Sequence, residues 1–408
     1  MQNQSHSLGI IPVSFSKLLE RLGYYGMRSI LVLFLLKDLG FTNEKSALIY
    51  GYFTGLSVVI PIIGGLIADL LIGTKRTAII GGFIQALGCF TLVIPSEFAV
   101  YLGLFFIALG TGFYNPNIIS LLGSIYSKRL QKLDAAMLIF YSCIHVGALF
   151  GPLFIGVIAD LFGYKTGFII SGTILILAQL LLLFLNNLLK EAPTSPNIYL
   201  EEEKRETTPG YRAIIIIAIT LLIPVFWIIY QLDIEPLYER MDKISESFNY
   251  FRSIFSAIGP ITIFFVGIIL AIIFSFVKLS SFLKILIGFI IYATSSALLN
   301  FYYQLEISNS FLFFVFFALF LQGISEVFIS PIALSIICKY GSTKFNSTLI
   351  GLFLAISTLV SYFGSFLTGK IGILGSNAVL VISLSTISIL ASVFFVLYFF
   401  IKKSKPNY

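Results

Sequence analysis

A chain of 408 residues that is 58% apolar and only 11% charged carries more apolar surface than a soluble fold can bury, since soluble domains are roughly one quarter charged. Its mean hydropathy of +0.99, with apolar runs of about 20 residues or longer, reads as an integral membrane protein built from helices. The formal net charge of +7 comes from Lys and Arg spread over short loops without a patch of interleaved aromatics, which excludes nucleic acid as the implied partner.

The hydropathy pattern predicts twelve membrane-spanning helices, over 12–36, 46–72, 77–95, 99–126, 135–162, 166–189, 211–233, 250–277, 281–302, 309–338, 346–370 and 376–401. The N-terminus shows no basic region followed by a short apolar run and a small-residue cut site, so the first helix is expected to act as the insertion signal. One polar, proline-containing linker, 190–210, separates an N-terminal six-helix half (1–189) from a C-terminal one (211–408). Lys75, Arg76, Lys128, Lys132, Lys278, Lys284, Lys339, Lys344 and the tail lysines fall on one side of this topology, which is expected to be cytoplasmic together with both termini. Cys89, Cys143 and Cys338 form an odd set within apolar stretches, and His6 and His145 are the two histidines, so neither a disulfide framework nor a metal centre is expected.

The first span contains an anomaly. In LLERLGYYGMRSILVLFLL, over 18–36, Glu20, Arg21 and Arg28 lie inside an otherwise apolar helix, with Lys17 just upstream. At about 100° per residue, Lys17, Glu20, Arg21, Tyr24, Tyr25 and Arg28 fall within an arc of about 140°. Four charges facing lipid would cost on the order of 10 kcal/mol, and the apolar residues from Ile30 to Leu36 return only a few. The polar arc is therefore expected to face protein or water. Glu20 can pair locally with Arg21, leaving Lys17 or Arg28 to find a partner on another helix. For Lys17 an alternative stays open, snorkelling to the cytoplasmic surface.

Further along, PIIGGLIADLLIGTKRT begins at Pro61 and PLFIGVIADLFGYKTGF at Pro152. Each has Pro, Gly four residues on, then Ile-Ala-Asp-Leu, and about three spans separate them. An odd number of spans reverses direction, so these are inverted-topology repeats of the kind secondary transporters carry. In the first copy, Gly65, Asp69, Gly73, Lys75 and Arg76 form a loop motif. Its glycines allow close approach and a tight turn, Asp69 can cap or pair with a neighbouring helix, and the basic pair anchors the loop. This motif resembles that between spans 2 and 3 of the major facilitator superfamily, where it serves conformational switching.

The resemblance narrows at LLERLGYYGMRSIL, which is similar to the first helix of the proton-dependent oligopeptide transporters, a major facilitator branch with ExxER followed by YYGMR. GTGFYNPNIISLLGSIY resembles that family's fourth helix, FYSCIHVGALFGPL its fifth, FWIIYQ the start of its seventh and EVFISPIALS its tenth. The segments follow in order over nearly the whole chain. The resemblance implies an all-α membrane protein with the major facilitator fold, proton-coupled symport of di- and tripeptides by alternating access, no cofactor beyond the proton gradient, a monomer, and a place in a bacterial cytoplasmic membrane. Many bacterial members carry two extra helices between the halves, for which the linker here leaves no room. A facilitator or exchanger of another small organic or anionic solute, or a receptor that binds without transporting, is the alternative. No catalytic triad, HExxH, metal cluster or phosphate loop points to an enzyme.

The departures from the family are specific. Lys17 stands where the first Glu of ExxER is expected, and Asn115 where helix 4 carries a lysine before Pro-Asn. His145 replaces an asparagine of the fifth helix, Gly259 one in the eighth, and Gln231 takes a position that is acidic in some members. One positive charge is thus expected to have moved from helix 4 to helix 1. The resemblance implies substrate contacts from Arg21, Tyr24, Tyr25, Arg28, Tyr114, Asn115, His145, Trp227, Gln231, Glu326 and Ser330, with a zwitterion held between Arg28 and Glu326. It implies proton coupling through Lys17, Glu20, Arg21, His145 and Glu326. The aromatic residues read equally well as packing, Glu326 as half of a buried pair, and His145 as a hydrogen-bonded structural histidine. Asp233, Glu235, Glu239, Arg240 and Asp242 read as a solvated outer loop after helix 7.

Overall fold

A computed structural model describes residues 6–189, 209–242, 249–302, 309–371 and 376–403. They form twelve helices: α1 Ile10–Lys37, α2 Asn43–Ile67, α3 Thr74–Thr91, α4 Glu97–Ile125, α5 Leu133–Phe162, α6 Tyr164–Phe184, α7 Pro209–Asp242, α8 Asn249–Phe276, α9 Ser281–Tyr302, α10 Asn309–Tyr340, α11 Asn346–Ile371 and α12 Ser376–Lys403. Ten are long and apolar enough to cross a membrane, which makes this a multi-pass membrane protein. The other two are α1 and α3, whose composition is broken by the charged arc and by Lys75 and Arg76. The linker 190–208 and the tail from 404 lie outside the described residues.

The chain divides into two compact units. One holds α1–α6 with residues 341–355, and the other holds α7–α10, the remainder of α11 and α12. Within the first, α3 packs on α4 and α6, and α2 on α4. Within the second, α9 packs on α10 and α12, and α8 on α10, so the pairing repeats six helices later. Close approach depends on small residues, as expected where lipid gives no hydrophobic drive between helices. A Cβ on Gly81 of α3 would stand 2.7 Å from the Gly110 carbonyl oxygen of α4, and one on Gly147 of α5 would meet the Leu18 carbonyl oxygen of α1 at 2.5 Å.

The repeated motif ends both α2 and α5 at a glycine in nearly the same conformation, Gly73 with φ 89 and ψ 146 and Gly163 with φ 86 and ψ 157. This region is accessible to glycine alone at low cost. The first copy has one more residue between its Ala-Asp and its Gly. The extra residue is absorbed in a π-helical turn over Ala68–Ile72, so the Gly73 N–H donates to the Ala68 carbonyl five residues back at 2.9 Å. In the second copy Gly163 N–H reaches Ala159, four back, also at 2.9 Å. An insertion has become a π-bulge.

Asp69, inside that turn, caps the first turn of α11. Its carboxylate accepts the backbone N–H groups of Ser347 at 3.2 Å and Thr348 at 2.7 Å, and the Thr348 hydroxyl at 2.7 Å. Ser347 and Thr348 follow the first residue of α11, so their N–H groups have no partner within that helix. Nearby, Asn346 Nδ2 donates to Ser120 Oγ at 3.1 Å, and a Cβ on Gly65 would meet the Ser347 carbonyl oxygen at 2.5 Å. These contacts are why residues 341–355 belong with the N-terminal unit. Of the basic pair, Lys75 donates to the Asn186 side chain and Arg76 is exposed.

One reading of the sequence is corrected. The cluster from Asp233 to Asp242 is not a loop after helix 7, because α7 continues to Asp242. Asp233 is 3% exposed and accepts hydrogen bonds from the hydroxyls of Tyr292 and Ser383. Run length misled here, since the apolar stretch stops where the helix does not. The side chains of Glu235, Glu239, Arg240 and Asp242 lie outside the described residues.

Gly73→Ala is expected to lower stability by about 1–2 kcal/mol, the cost of forcing a Cβ into a left-handed conformation. Deleting Leu71, which is 79% exposed, removes the extra residue of the π turn and should leave the melting temperature close to that of the parent. A thermal-shift assay in detergent checks both.

Candidate functional site

The charges of α1 are gathered around Glu20, whose side chain is fully buried. Its carboxylate accepts Lys17 Nζ at 3.0 Å, Arg21 Nε at 2.7 Å, Arg21 Nη2 at 2.6 Å and Gln85 Nε2 of α3 at 3.2 Å. These four bonds fill the acceptor capacity of a carboxylate. Asn115 of α4 completes the cluster. Its Oδ1 accepts from both Lys17 Nζ and Arg21 Nη2, the latter at 3.1 Å. The Lys17 ammonium therefore rests against the very position from which the resemblance says a lysine is missing. At 3% exposure it does not snorkel, and that alternative is excluded. The sequence pairing of Glu20 with Arg21 is present, and Lys17 joins it instead of seeking a separate acid.

Aromatic groups wall the cluster. The Arg21 guanidinium lies 4.6 Å from the Tyr24 ring centroid and 5.4 Å from that of Tyr25. Lys17 Nζ is 5.1 Å from the Tyr114 ring, whose hydroxyl is hydrogen-bonded to Ser16 at 2.7 Å. Such contacts favour cations that have left water. Two cations share one carboxylate, so a positive charge is left over in a buried setting. Two turns along α1, half-buried Arg28 donates to the Tyr50 hydroxyl of α2 and lies 5.4 Å from its ring. Among the described residues no carboxylate comes within ion-pair distance of Arg28. His145 of α5 is partly buried, 4.8 Å ring to ring from Tyr141.

In the C-terminal unit, Trp227 and Tyr230 of α7 belong to an aromatic cluster with Phe226 and Tyr292. Trp227 and Tyr230 have centroids 5.3 Å apart, and Phe226 and Tyr292 4.9 Å apart. Gln231 Nε2 donates to Ser361 Oγ at 3.1 Å. Glu326 is 4% exposed on α10, and the buried Ser330 hydroxyl one turn further makes no hydrogen bond among the described residues.

The sequence reading missed Ser16, Tyr50, Gln85 and the Asp233–Tyr292–Ser383 group. Gln85 carried a signal, as the one amide in the middle of α3. So did Asp233, because Phe226, Ile229, Asp233 and Leu237 are all buried and follow helical spacing. Among the described residues, no three His, Cys, Asp or Glu side chains converge as a metal site.

Twelve helices in this pairing, with an ionic cluster buried on the first, define a multi-pass membrane protein built from two six-helix sets. The chain belongs to the Major Facilitator Superfamily, whose sequence profile matches residues 13–282. It is 35% identical over 189 residues to dipeptide and tripeptide permease B of Shigella dysenteriae, covering 45% of this chain and 38% of that protein. It is 27% identical over 361 residues to the permease B of Salmonella typhimurium, covering 84% of this chain and 69% of that protein. The fold matches a POT family transporter crystallised with 5-aminolevulinic acid, with a TM-score of 0.66 at 20% identity over 98% of this chain and 97% of that one. A POT family transporter with a thioalcohol-conjugated peptide matches equally, at 0.66 and 22% identity, again over 98% and 97%.

Glu20→Gln leaves two buried cations without their acid and is expected to cost about 3–5 kcal/mol. The double change Lys17→Met with Glu20→Gln should cost less than the sum of its parts by at least about 1 kcal/mol. A double-mutant cycle by denaturant unfolding in detergent measures it.

Proposed function

We propose that this chain is a secondary transporter of the proton-dependent oligopeptide branch, moving di- and tripeptides in symport with protons by alternating access. The observation that carries the reading is the cation-rich face of α1, in a chain that is 35% identical over 189 residues to a dipeptide and tripeptide permease. Arg28, with no acid of its own, supplies a planar donor fork for a peptide carboxylate. Arg21 is committed to Glu20, so its part is to hold the cluster. Glu326 supplies the anion for a free amino terminus, with Ser330 beside it. Tyr24, Tyr25, Tyr114, Asn115, Trp227, Tyr230 and Gln231 shape the contacts around the two ends.

Lys17 takes over the charge of the missing helix 4 lysine, reaching Asn115 from α1. Glu20 is bound to two cations, so Glu326 and His145 carry the transported proton. Asp69 and the motif around it act in conformational switching through the first turn of α11. No cofactor is required, since the proton gradient supplies the energy. The protein works as a monomer in a bacterial cytoplasmic membrane with both termini inside. The surplus cation on α1 favours a second reading, exchange of a small anionic solute.

Uptake of a labelled dipeptide into proteoliposomes, with and without an inward proton gradient, separates the readings. Accumulation that requires the gradient supports symport. Uptake only against a trans anion supports exchange. Glu326→Gln is expected to weaken peptides with a free amino terminus more than N-blocked ones, by at least about tenfold in kcat/KM, which corresponds to about 1.4 kcal/mol. Equal losses would remove Glu326 from that role. Lys17→Ala is expected to abolish proton-driven uptake while sparing counterflow.

A further inference from the structure

A second ionisable centre lies in the C-terminal unit, on three side chains given no role above. Asp233 sits at the end of the apolar stretch Gly210–Ile234 of α7 and is 3% exposed. Its Oδ2 accepts the Tyr292 hydroxyl of α9 at 2.8 Å, and its Oδ1 accepts the Ser383 hydroxyl of α12 at 3.1 Å. Both hydroxyl carriers are themselves fully buried. An ionisable side chain buried to this degree is costly, and in membrane helices such groups are retained where they have work to do.

The chemistry of the partners indicates what that work is. A hydroxyl is at once donor and acceptor. Tyr292 and Ser383 hold the carboxylate by donating to it, and they hold the carboxylic acid when one of them turns to accept its O–H. Tyr292 and Ser383 can thus serve both protonation states of Asp233 without a change of backbone. We propose that Asp233 is a proton-binding site of the C-terminal unit. It takes one proton from the aqueous phase onto a carboxylate oxygen and returns it, and no other bond forms or breaks. The coupling role deepens the symport reading and rests on it, whereas the proton binding itself does not.

Other titratable groups lie on several of the helices around it. On α7, Tyr230 stands one turn back, its ring stacked on that of Tyr292 with centroids 6.5 Å apart. Besides Tyr292, α9 carries Lys284, near its start and set over the Phe274 ring at 4.1 Å. Helix α10 carries Glu326, with Lys339 and Tyr340 at its far end, and α12 brings Tyr398 four turns beyond Ser383. The described side chains of α8, from Phe255 to Phe276, include no titratable group.

The test uses the purified full chain. Infrared difference spectra between alkaline and acidic pH report any carboxyl group that gains a proton, and they need no substrate. A protonated-carboxyl band present in the parent, absent in Asp233→Asn and shifted in Tyr292→Phe is the expected result. An unchanged band in Asp233→Asn overturns the proposal. In proteoliposomes, Asp233→Asn should lower gradient-driven dipeptide accumulation by at least about tenfold while counterflow stays within about twofold, and Asp233→Glu should restore part of the accumulation. Loss of both modes alike in Asp233→Asn, without recovery in Asp233→Glu, assigns Asp233 to helix attachment and overturns the coupling role. If the parent imports no dipeptide yet loses its band in Asp233→Asn, the proton site stands and the peptide reading falls.

Discussion

One buried carboxylate, Glu20, organises the N-terminal unit. It binds Lys17 and Arg21 from its own helix and Gln85 from α3, while Asn115 ties the same two cations to α4. Three helices are thereby fixed against one another at a point where none can face lipid. Taking such charges out of water costs several kcal/mol per ion, and mutual attraction returns this only when every donor and acceptor is matched. The geometry here meets that condition for Glu20, whose acceptor positions are all used. The cost explains why α1 is buried on its polar side as thoroughly as on its apolar one. It also explains why the neighbouring helix α5 comes so near, with Gly147 and Gly151 backing onto α1.

Lys17 of helix 1 meets Asn115 of helix 4, the position at which the family resemblance leads one to expect a lysine. That contact places the Lys17 ammonium beside helix 4 although helix 1 supplies it. What changes is the balance. The family pattern has two acids against two bases, and the residues here have one acid against two. A surplus positive charge in a low-dielectric setting attracts anions over a longer range than a balanced pair does. Arg28 two turns away, with no carboxylate at ion-pair distance among the described residues, has the same sign and adds to that field.

Much of this was legible in the sequence, and the exceptions have physical causes. Helix number and most boundaries follow from apolar run length, because a bilayer leaves no other satisfied backbone. The inward facing of Lys17, Glu20 and Arg21 follows from cost alone. Which partners they would meet did not, because Gln85, Asn115 and Ser16 are brought together only by helix packing, and neutral polar groups announce no charge to balance. Tyr50 was hidden for the same reason. Asp233 was misplaced because run length was trusted over periodicity at the end of α7, where the buried stripe continues through the charged residues. The Asp69 cap was half visible, since an aspartate at a helix end asks for N–H donors but does not say whose.

The π-helical turn at Ala68–Ile72 has an implication for the ancestry of the two repeats. A residue inserted into a regular α-helix swings everything beyond it by about 100° around the axis. Had α2 taken its extra residue in that way, the reversal into α3 would leave along a different bearing, and Gln85 would no longer point at Glu20. Lodging the extra residue in a single widened loop of backbone lets both copies end at a glycine of nearly the same conformation. The difference in length between the two repeats is thus confined to the five residues Ala68–Ile72, and Gln85 beyond them keeps its contact with Glu20.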